Sequence, residues 1–189
     1  MLQALATLSE GLRLKTLTLL RHAKSAWDDP VERDFDRPLN GRGRRAATRI
    51  GQWLREHNAA FELVRASPAL RVRQTIEGIE DGLGRTLGVV FDTRIYMASA
   101  ATLLELVQGF DVASKALLIG HNPGLEDLLL LLTPPADPLR AEAEAKYPTA
   151  TIAVLELPVE RWSDVAEGSA TLRDFVRPRD LDATLGPDD

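Results

Sequence analysis

Apolar and β-branched residues gather in short runs that break off at polar, Gly- or Pro-containing turns, at residues 15–20, 63–66, 89–91, 115–119 and 151–157. Runs of this length with such borders read as strands. Between them the apolar positions recur at helical spacing. Ala46, Ile50, Trp53 and Leu54 share one face across residues 44–57, and Val72, Ile76, Ile79 and Leu83 share one across residues 69–83. Leu103, Leu106, Val107 and Phe110 predict a third helix over residues 100–110, and a fourth begins at Pro123. Strands alternating with helices predict a layered α/β fold with a largely parallel sheet, whose ligands bind outside the carboxyl ends of the strands.

The pattern fades at both ends and in one internal stretch. Residues 1–14 read as an N-terminal extension, residues 15–177 as a single domain, and residues 178–189 as a polar, acidic tail with little to bury. Residues 134–144, rich in Pro, Ala and charge, read as a loop or small excursion. A length of 189 residues suits one well-packed domain.

Composition removes several classes of function. With 44% hydrophobic and 27% charged residues the usage is that of a globular protein, not of a disordered or membrane one. The net charge of −5 argues against sequence-independent binding of nucleic acid, which needs a surplus of Lys and Arg. An anionic substrate would then be held by a local cluster of cations. Absence of cysteine excludes disulfides and thiolate metal sites. The first fifteen residues lack a basic start and an uninterrupted apolar run, and the run at residues 125–132 is too short to span a bilayer, so no membrane association and a cytoplasmic location are the default expectations.

Three strand ends carry candidate chemistry. The first strand runs out into Arg21-His22, where a neutral imidazole is a competent nucleophile toward phosphorus and a guanidinium can hold phosphate oxygens. Taken alone, this pair reads as readily as a surface arginine beside a partly buried histidine. Ser67-Pro68-Ala69-Leu70-Arg71 follows the second strand, with Ser67 placed to cap a helix, Pro68 to open it, and Arg71 in its first turns, where backbone N–H groups favour phosphate. Gly120-His121-Asn122-Pro123-Gly124 follows another strand, with Asn122 as the expected N-cap and His121 over the sheet edge. Of the three histidines two therefore follow strands directly, and the third, His57, ends a helix as a favourable partner for its dipole. Asp28, Asp29, Glu32, Asp34 and Asp36 form an acidic cluster whose spacing suits a solvated loop better than a metal site. Arg42, Arg44 and Arg45 read as solvated cations that could draw in an anion.

Four segments occur in order: Arg21-His22-Ala23-Lys24-Ser25, Asp36-Arg37-Pro38-Leu39-Asn40 with Gly43, Ser67-Pro68-Ala69-Leu70-Arg71 with Gln74-Thr75, and Gly120-His121-Asn122-Pro123-Gly124. Together they resemble the histidine phosphatase superfamily, most closely its small phosphohistidine phosphatase (SixA-like) branch. The resemblance spans roughly residues 15–157, and the ordered set is far more specific than any one segment. It implies the phosphoglycerate-mutase-like three-layer sandwich with helices on both faces of the sheet. It also implies a phosphatase in which His22 becomes phosphorylated, Arg21 and Arg71 clamp the phosphoryl oxygens, His121 completes the pocket, and no metal or other cofactor takes part. Ser25, whose hydroxyl can donate to a phosphate oxygen, joins the phosphate-binding set. Larger relatives supply a carboxylic acid after the third strand, whereas residues 92–98 here offer none except Asp92. That favours a substrate with a good leaving group, such as phosphohistidine in a protein. Two alternatives stay open: a sugar-phosphate or nucleotide phosphatase or mutase acting on a small phosphorylated substrate, and a phosphate-binding module without turnover.

Overall fold

The structure is a computed structural model that describes residues 14–27 and 33–186. Six strands form one sheet: β1 (Lys15–Arg21), β2 (Leu63–Ala66), β3 (Val90–Phe91), β4 (Lys115–Gly120), β5 (Ile152–Leu157) and β6 (Thr171–Val176), in the order β3-β2-β4-β1-β5-β6. β1 to β4 pair in parallel, and β5 runs antiparallel to both β1 and β6. The expected α/β fold with a mostly parallel sheet is the one observed.

Both faces of the sheet are covered, and the alternation along the central strands shows why. Leu17 and Leu19 of β1, with Ala116 and Leu118 of β4, pack toward α3 (Ala100–Gln108) and α4 (Gly124–Leu132). Leu20, Leu117 and Ile119 point the other way, toward α1 (Gly41–Glu56) and α2 (Leu70–Leu83). Successive strand residues face opposite sides, so strands buried on both sides need nearly continuous apolar sequence. Each fully buried Leu contributes about 1.5–3 kcal/mol relative to exposure.

The contact between α1 and α2 depends on the missing side chains of Gly51 and Gly82. A Cβ on Gly51 would collide with the backbone of Ile79, and one on Gly82 with the carbonyl of Thr48. The two helices therefore approach backbone to backbone.

Three stretches depart from the sequence expectations. β6 is absent from the apolar pattern because its register against β5 shifts between Val154 and Leu155, which leaves Leu172 and Phe175 buried three positions apart instead of two. Residues 134–144, expected as a loop or small excursion, lead into the helix α5 (Arg140–Ala145) with Ala143 fully buried. The expected tail is largely ordered: α6 (Pro178–Leu181) and a following 3₁₀ turn bury Pro178 and Leu185, the latter in the core under α1. The N-terminal extension falls almost wholly outside the described residues.

Candidate active site

Parallel pairing of β1 with β4 brings Arg21 opposite Gly120, so the residue that follows each strand lies beside the other. The His22 amide donates to the Gly120 carbonyl at 3.0 Å, and the Ser67 amide, just past β2, donates to Ile119 at 3.0 Å. Three strand ends thus converge, and the rings of His22 and His121 stand 5.1 Å apart. Arg71 joins them. Its Nε donates to Nε2 of His22 at 3.3 Å and its Nη2 to Nδ1 of His121 at 3.2 Å.

These contacts fix both tautomers. Nδ1 of His22 lies 2.7 Å from the Ala23 carbonyl, which can only accept, so the ring proton sits on Nδ1 and Nε2 presents a lone pair. Nδ1 of His121 accepts from Arg71, so its proton sits on Nε2 and is donated to Ser67 Oγ at 2.8 Å. Burial pushes the pKa of His22 well below the usual imidazole value; the bond to Ala23 offsets this in part, and His121, Arg71 and Arg21 add to it. For His121, burial and then the Arg71 charge push the pKa down to about 3. Both rings are neutral at pH 7. An unprotonated Nε2 beside fixed cationic donors is the equipment for nucleophilic attack on an anionic phosphoryl group.

The loop after β1 is anchored on α2 and α1. Thr75 Oγ1 accepts from the Ala23 amide at 3.0 Å and donates to the Arg71 carbonyl at 2.6 Å, while Gln74 Oε1 accepts from the Leu39 amide at 2.7 Å. Asn40 caps α1 by accepting from Gly43 at 2.8 Å. Gly43 itself lies against the Lys24 backbone, where any side chain would collide.

Arg21 borders the group without bonding to either imidazole. Its Nη1 donates to the Tyr147 carbonyl at 2.6 Å, its buried Nε has no partner, and burial lowers its pKa. Ser25 is buried and forms an isolated bridge with Leu39. Ser67 is not the helix cap expected of it, since Ala69 occupies that position; its hydroxyl serves His121 instead. Asn122 is likewise not the N-cap, which is Pro123, and its amide donates to Glu126 at 2.7 Å. His57 ends α1 as expected, stacked on Trp53 with Nδ1 2.8 Å from the Trp53 carbonyl.

Sequence reasoning missed Asp34, Arg37 and Tyr96. The Asp34 carboxylate, expected in a solvated loop, meets Arg71 Nη2 at 3.0 Å and Arg37 Nη2 at 2.7 Å, and accepts from the Tyr96 hydroxyl at 2.9 Å. Burial raises its pKa, but the Tyr96 bond and the two arginines outweigh that and hold it below the usual carboxylate range. Asp34 is therefore an anion resting on Arg71. Arg37 keeps Nε and Nη1 buried without a partner, and Tyr96 packs edge-on to His121 with ring centroids 5.3 Å apart. The motif containing Arg37 was the available signal; nothing in the sequence tied Asp34 to Arg71. Asp92 caps the turn at residues 93–95 and is paired with Arg94 at 2.7 Å, whose hydrogen bond lowers its pKa. A carboxylate so held is poorly suited to give up a proton.

Asp28, Asp29 and Glu32 lie outside the described residues. Among the described residues no group of His, Cys, Asp or Glu is placed to hold a metal, and no helix is long and apolar enough to cross a membrane.

Comparison with known proteins finds a matching family and similar structures. Residues 17–95 match the profile of the Histidine phosphatase superfamily (branch 1). An uncharacterized protein of Mycobacterium tuberculosis is 37% identical over 164 residues, which cover 85% of this chain and 100% of that one. The structure of a candidate phosphohistidine phosphatase SixA from Nakamurella multipartitia superposes with a TM-score of 0.75 at 32% identity, over 87% of this chain and 96% of the other. Its counterpart from Agrobacterium tumefaciens gives 0.72 at 32% identity, over 87% and 98%.

Proposed function

We infer, from the premise that this chain belongs to the histidine phosphatase superfamily in its SixA-like branch and is a phosphatase, that its hydrolytic cycle passes through a phosphoryl group carried on Nε2 of His22. The observation that carries this reading is the His22 tautomer: Nδ1–H is committed to the Ala23 carbonyl and the Nε2 lone pair is aimed at the Arg71 guanidinium. A phosphoryl group drawn onto Arg71 would meet that lone pair.

In the first step the Nε2–P bond forms as the bond from phosphorus to the leaving atom breaks. Negative charge spreads over the equatorial oxygens, where Arg71 and Arg21 supply fixed donors; the Nε2–H of His121 can join them only by leaving Ser67 Oγ. Asp34 must first release Arg71 Nη2, and Arg71 Nε must give up its bond to Nε2 of His22 so that the lone pair can reach phosphorus. In the second step water attacks phosphorus, the P–N bond breaks, and orthophosphate leaves with His22 neutral again.

The substrate that best fits this site is phosphohistidine in a protein. A P–N bond to imidazole needs less help from a general acid than a P–O bond to an alkoxide. Asp92 is locked to Arg94, and Asp34 is held as an anion. Incubation with a protein phosphorylated on histidine is expected to release phosphate at least ten-fold faster than incubation with sugar phosphates or nucleotides at equal concentration. A phosphoenzyme stable to base and labile to acid is expected to accumulate, and His22→Ala to abolish it. Turnover that survives in His22→Ala, or a preference for sugar phosphates, would refute the corresponding half of the reading.

A further inference from the structure

The Tyr96 hydroxyl and the Arg71 guanidinium meet on a single oxygen atom. Oδ2 of Asp34 accepts from Tyr96 at 2.9 Å and from Arg71 Nη2 at 3.0 Å. Arg71 Nη2 is also the donor that a phosphoryl group would take over from Asp34, so an oxygen that replaces Oδ2 there arrives within reach of the phenol. Several contacts hold that phenol in place. Tyr96 ends the 3₁₀ turn at residues 93–95, its amide donating to the Thr93 carbonyl at 3.2 Å, and Ile95 beside it is buried. Its ring stands edge-on to Phe35 and to His121, with centroids 5.1 Å and 5.3 Å away. The Arg71 guanidinium lies 5.7 Å from the ring centroid.

A basic leaving atom needs a proton as it departs. Neither Asp92, paired with Arg94, nor the anionic Asp34 is suited to give one. Tyr96 lies in the same stretch as Asp92, and its hydroxyl carries a proton at neutral pH. Burial raises the pKa of that hydroxyl, the bond to Asp34 and the Asp34 charge add to the rise, and Arg71 opposes it. The phenol therefore keeps its proton while Asp34 sits on the arginine. Once Asp34 leaves, its share of the rise goes with it, the Arg71 share stays, and the O–H is left without its acceptor. His22 and Tyr96 each pack against the ring of His121, and among the described residues no ring contact joins the two to each other. The nucleophile and the phenol thus address the phosphoryl group from different positions.

We propose that Tyr96 is the general acid of the reaction, its hydroxyl giving a proton to the group that departs from phosphorus. This rests on the reading of His22 as the phosphoryl acceptor, and not on phosphohistidine as the substrate. In the first step the Nε2–P bond forms while the bond from phosphorus to the leaving atom breaks. The electron pair of the broken bond stays on the leaving atom, which takes the Tyr96 proton, and a phenolate remains in the field of Arg71. In the second step the phenolate takes a proton from the water that attacks phosphorus, the P–N bond breaks with its electron pair returning to Nε2, and both side chains are neutral again. Help of this kind grows with the basicity of the leaving atom.

Tyr96→Phe keeps the ring and removes only the hydroxyl. The test compares kcat/KM, which reports the first step, for a nitrophenyl phosphate, whose leaving group departs as a stable anion, and for an alkyl phosphate, whose leaving group does not. The loss in the full-length variant is expected to be about a hundred-fold greater for the alkyl phosphate. Equal losses on the two substrates would make the hydroxyl a binding or structural contact and overturn the proposal. So would no loss on either, or a parent with no measurable turnover of the alkyl phosphate. Both substrates are measured on one preparation, so a misfolded fraction cancels from the ratio. An acid-labile phosphoenzyme is expected from nitrophenyl phosphate in the parent. Its absence there would refute His22 as the acceptor, and the leaving-group ratio would still decide the role of Tyr96.

Discussion

Nε of Arg71 donates to Nε2 of His22 across 3.3 Å, from a guanidinium that is only 1% exposed. An arginine stays charged throughout the working pH range, so the bond persists only while Nε2 keeps its lone pair. Protonating His22 would break the bond and place a second cation against the first. Both imidazoles are therefore expected to remain neutral, with Nδ1–H on His22 and Nε2–H on His121, from pH 8 down to pH 5. Histidine ¹⁵N spectra check this, and titration of either ring near the ordinary value of about 6.5 would contradict it.

The same neutrality makes stability depend on pH. In the unfolded chain each imidazole takes up a proton near pH 6.5, while in the folded protein it does so far lower, at about 3 for His121. Between these values the unfolded state binds more protons, so unfolding free energy falls as the pH drops. Each ring contributes up to about 1.4 kcal/mol per pH unit to that slope. Urea unfolding at pH 7 and pH 5 is expected to show the loss, and His121→Gln to remove one ring's share.

Asp34 and the phosphoryl group compete for Arg71 Nη2. Replacing a charge-assisted bond with a neutral one in Asp34→Asn is expected to tighten inhibition by orthophosphate by about ten-fold. Steady-state inhibition measures this directly. Weaker binding in the variant would mean that Asp34 assists the ligand instead of opposing it.

Arg71→Lys keeps a positive charge but cannot reach His22, His121 and a phosphoryl oxygen together. A fall in kcat/KM of roughly three orders of magnitude is expected, carried mainly by kcat because the clamp acts on the transition state. A change confined to KM would place Arg71 in ground-state binding alone.

Gly82→Ala is expected to destabilise the fold by about 1–3 kcal/mol through overpacking, since its Cβ would press on Thr48 of α1. Thermal melting checks the size of the effect. Activity per folded molecule should not change, because the helix contact lies away from the imidazoles.

The parallel strands and the helices between them were legible because both faces of the sheet are buried, and burial writes itself into periodicity. His22 and His121 were legible because each follows a strand directly in the chain, and Arg71 because it opens the helix that follows one. What the sequence hid were relationships between distant side chains. Ser67 looked like a cap because it precedes a helix, yet its hydroxyl is used 54 positions away by His121. Asp34 looked solvated because its neighbours are charged, and only the folded chain shows Arg71 beneath it. β6 escaped because a register shift broke its alternation, and with it went the clue that the last residues pack on the domain.

Because one guanidinium touches both rings, the pocket carries its own spectroscopic reporter. Any oxyanion that draws Arg71 toward itself must perturb Nε2 of His22 and Nδ1 of His121 at once, so their ¹⁵N resonances should move in concert as the pocket fills. Occupancy of the catalytic pocket can thus be followed without a label, a chromogenic substrate or turnover.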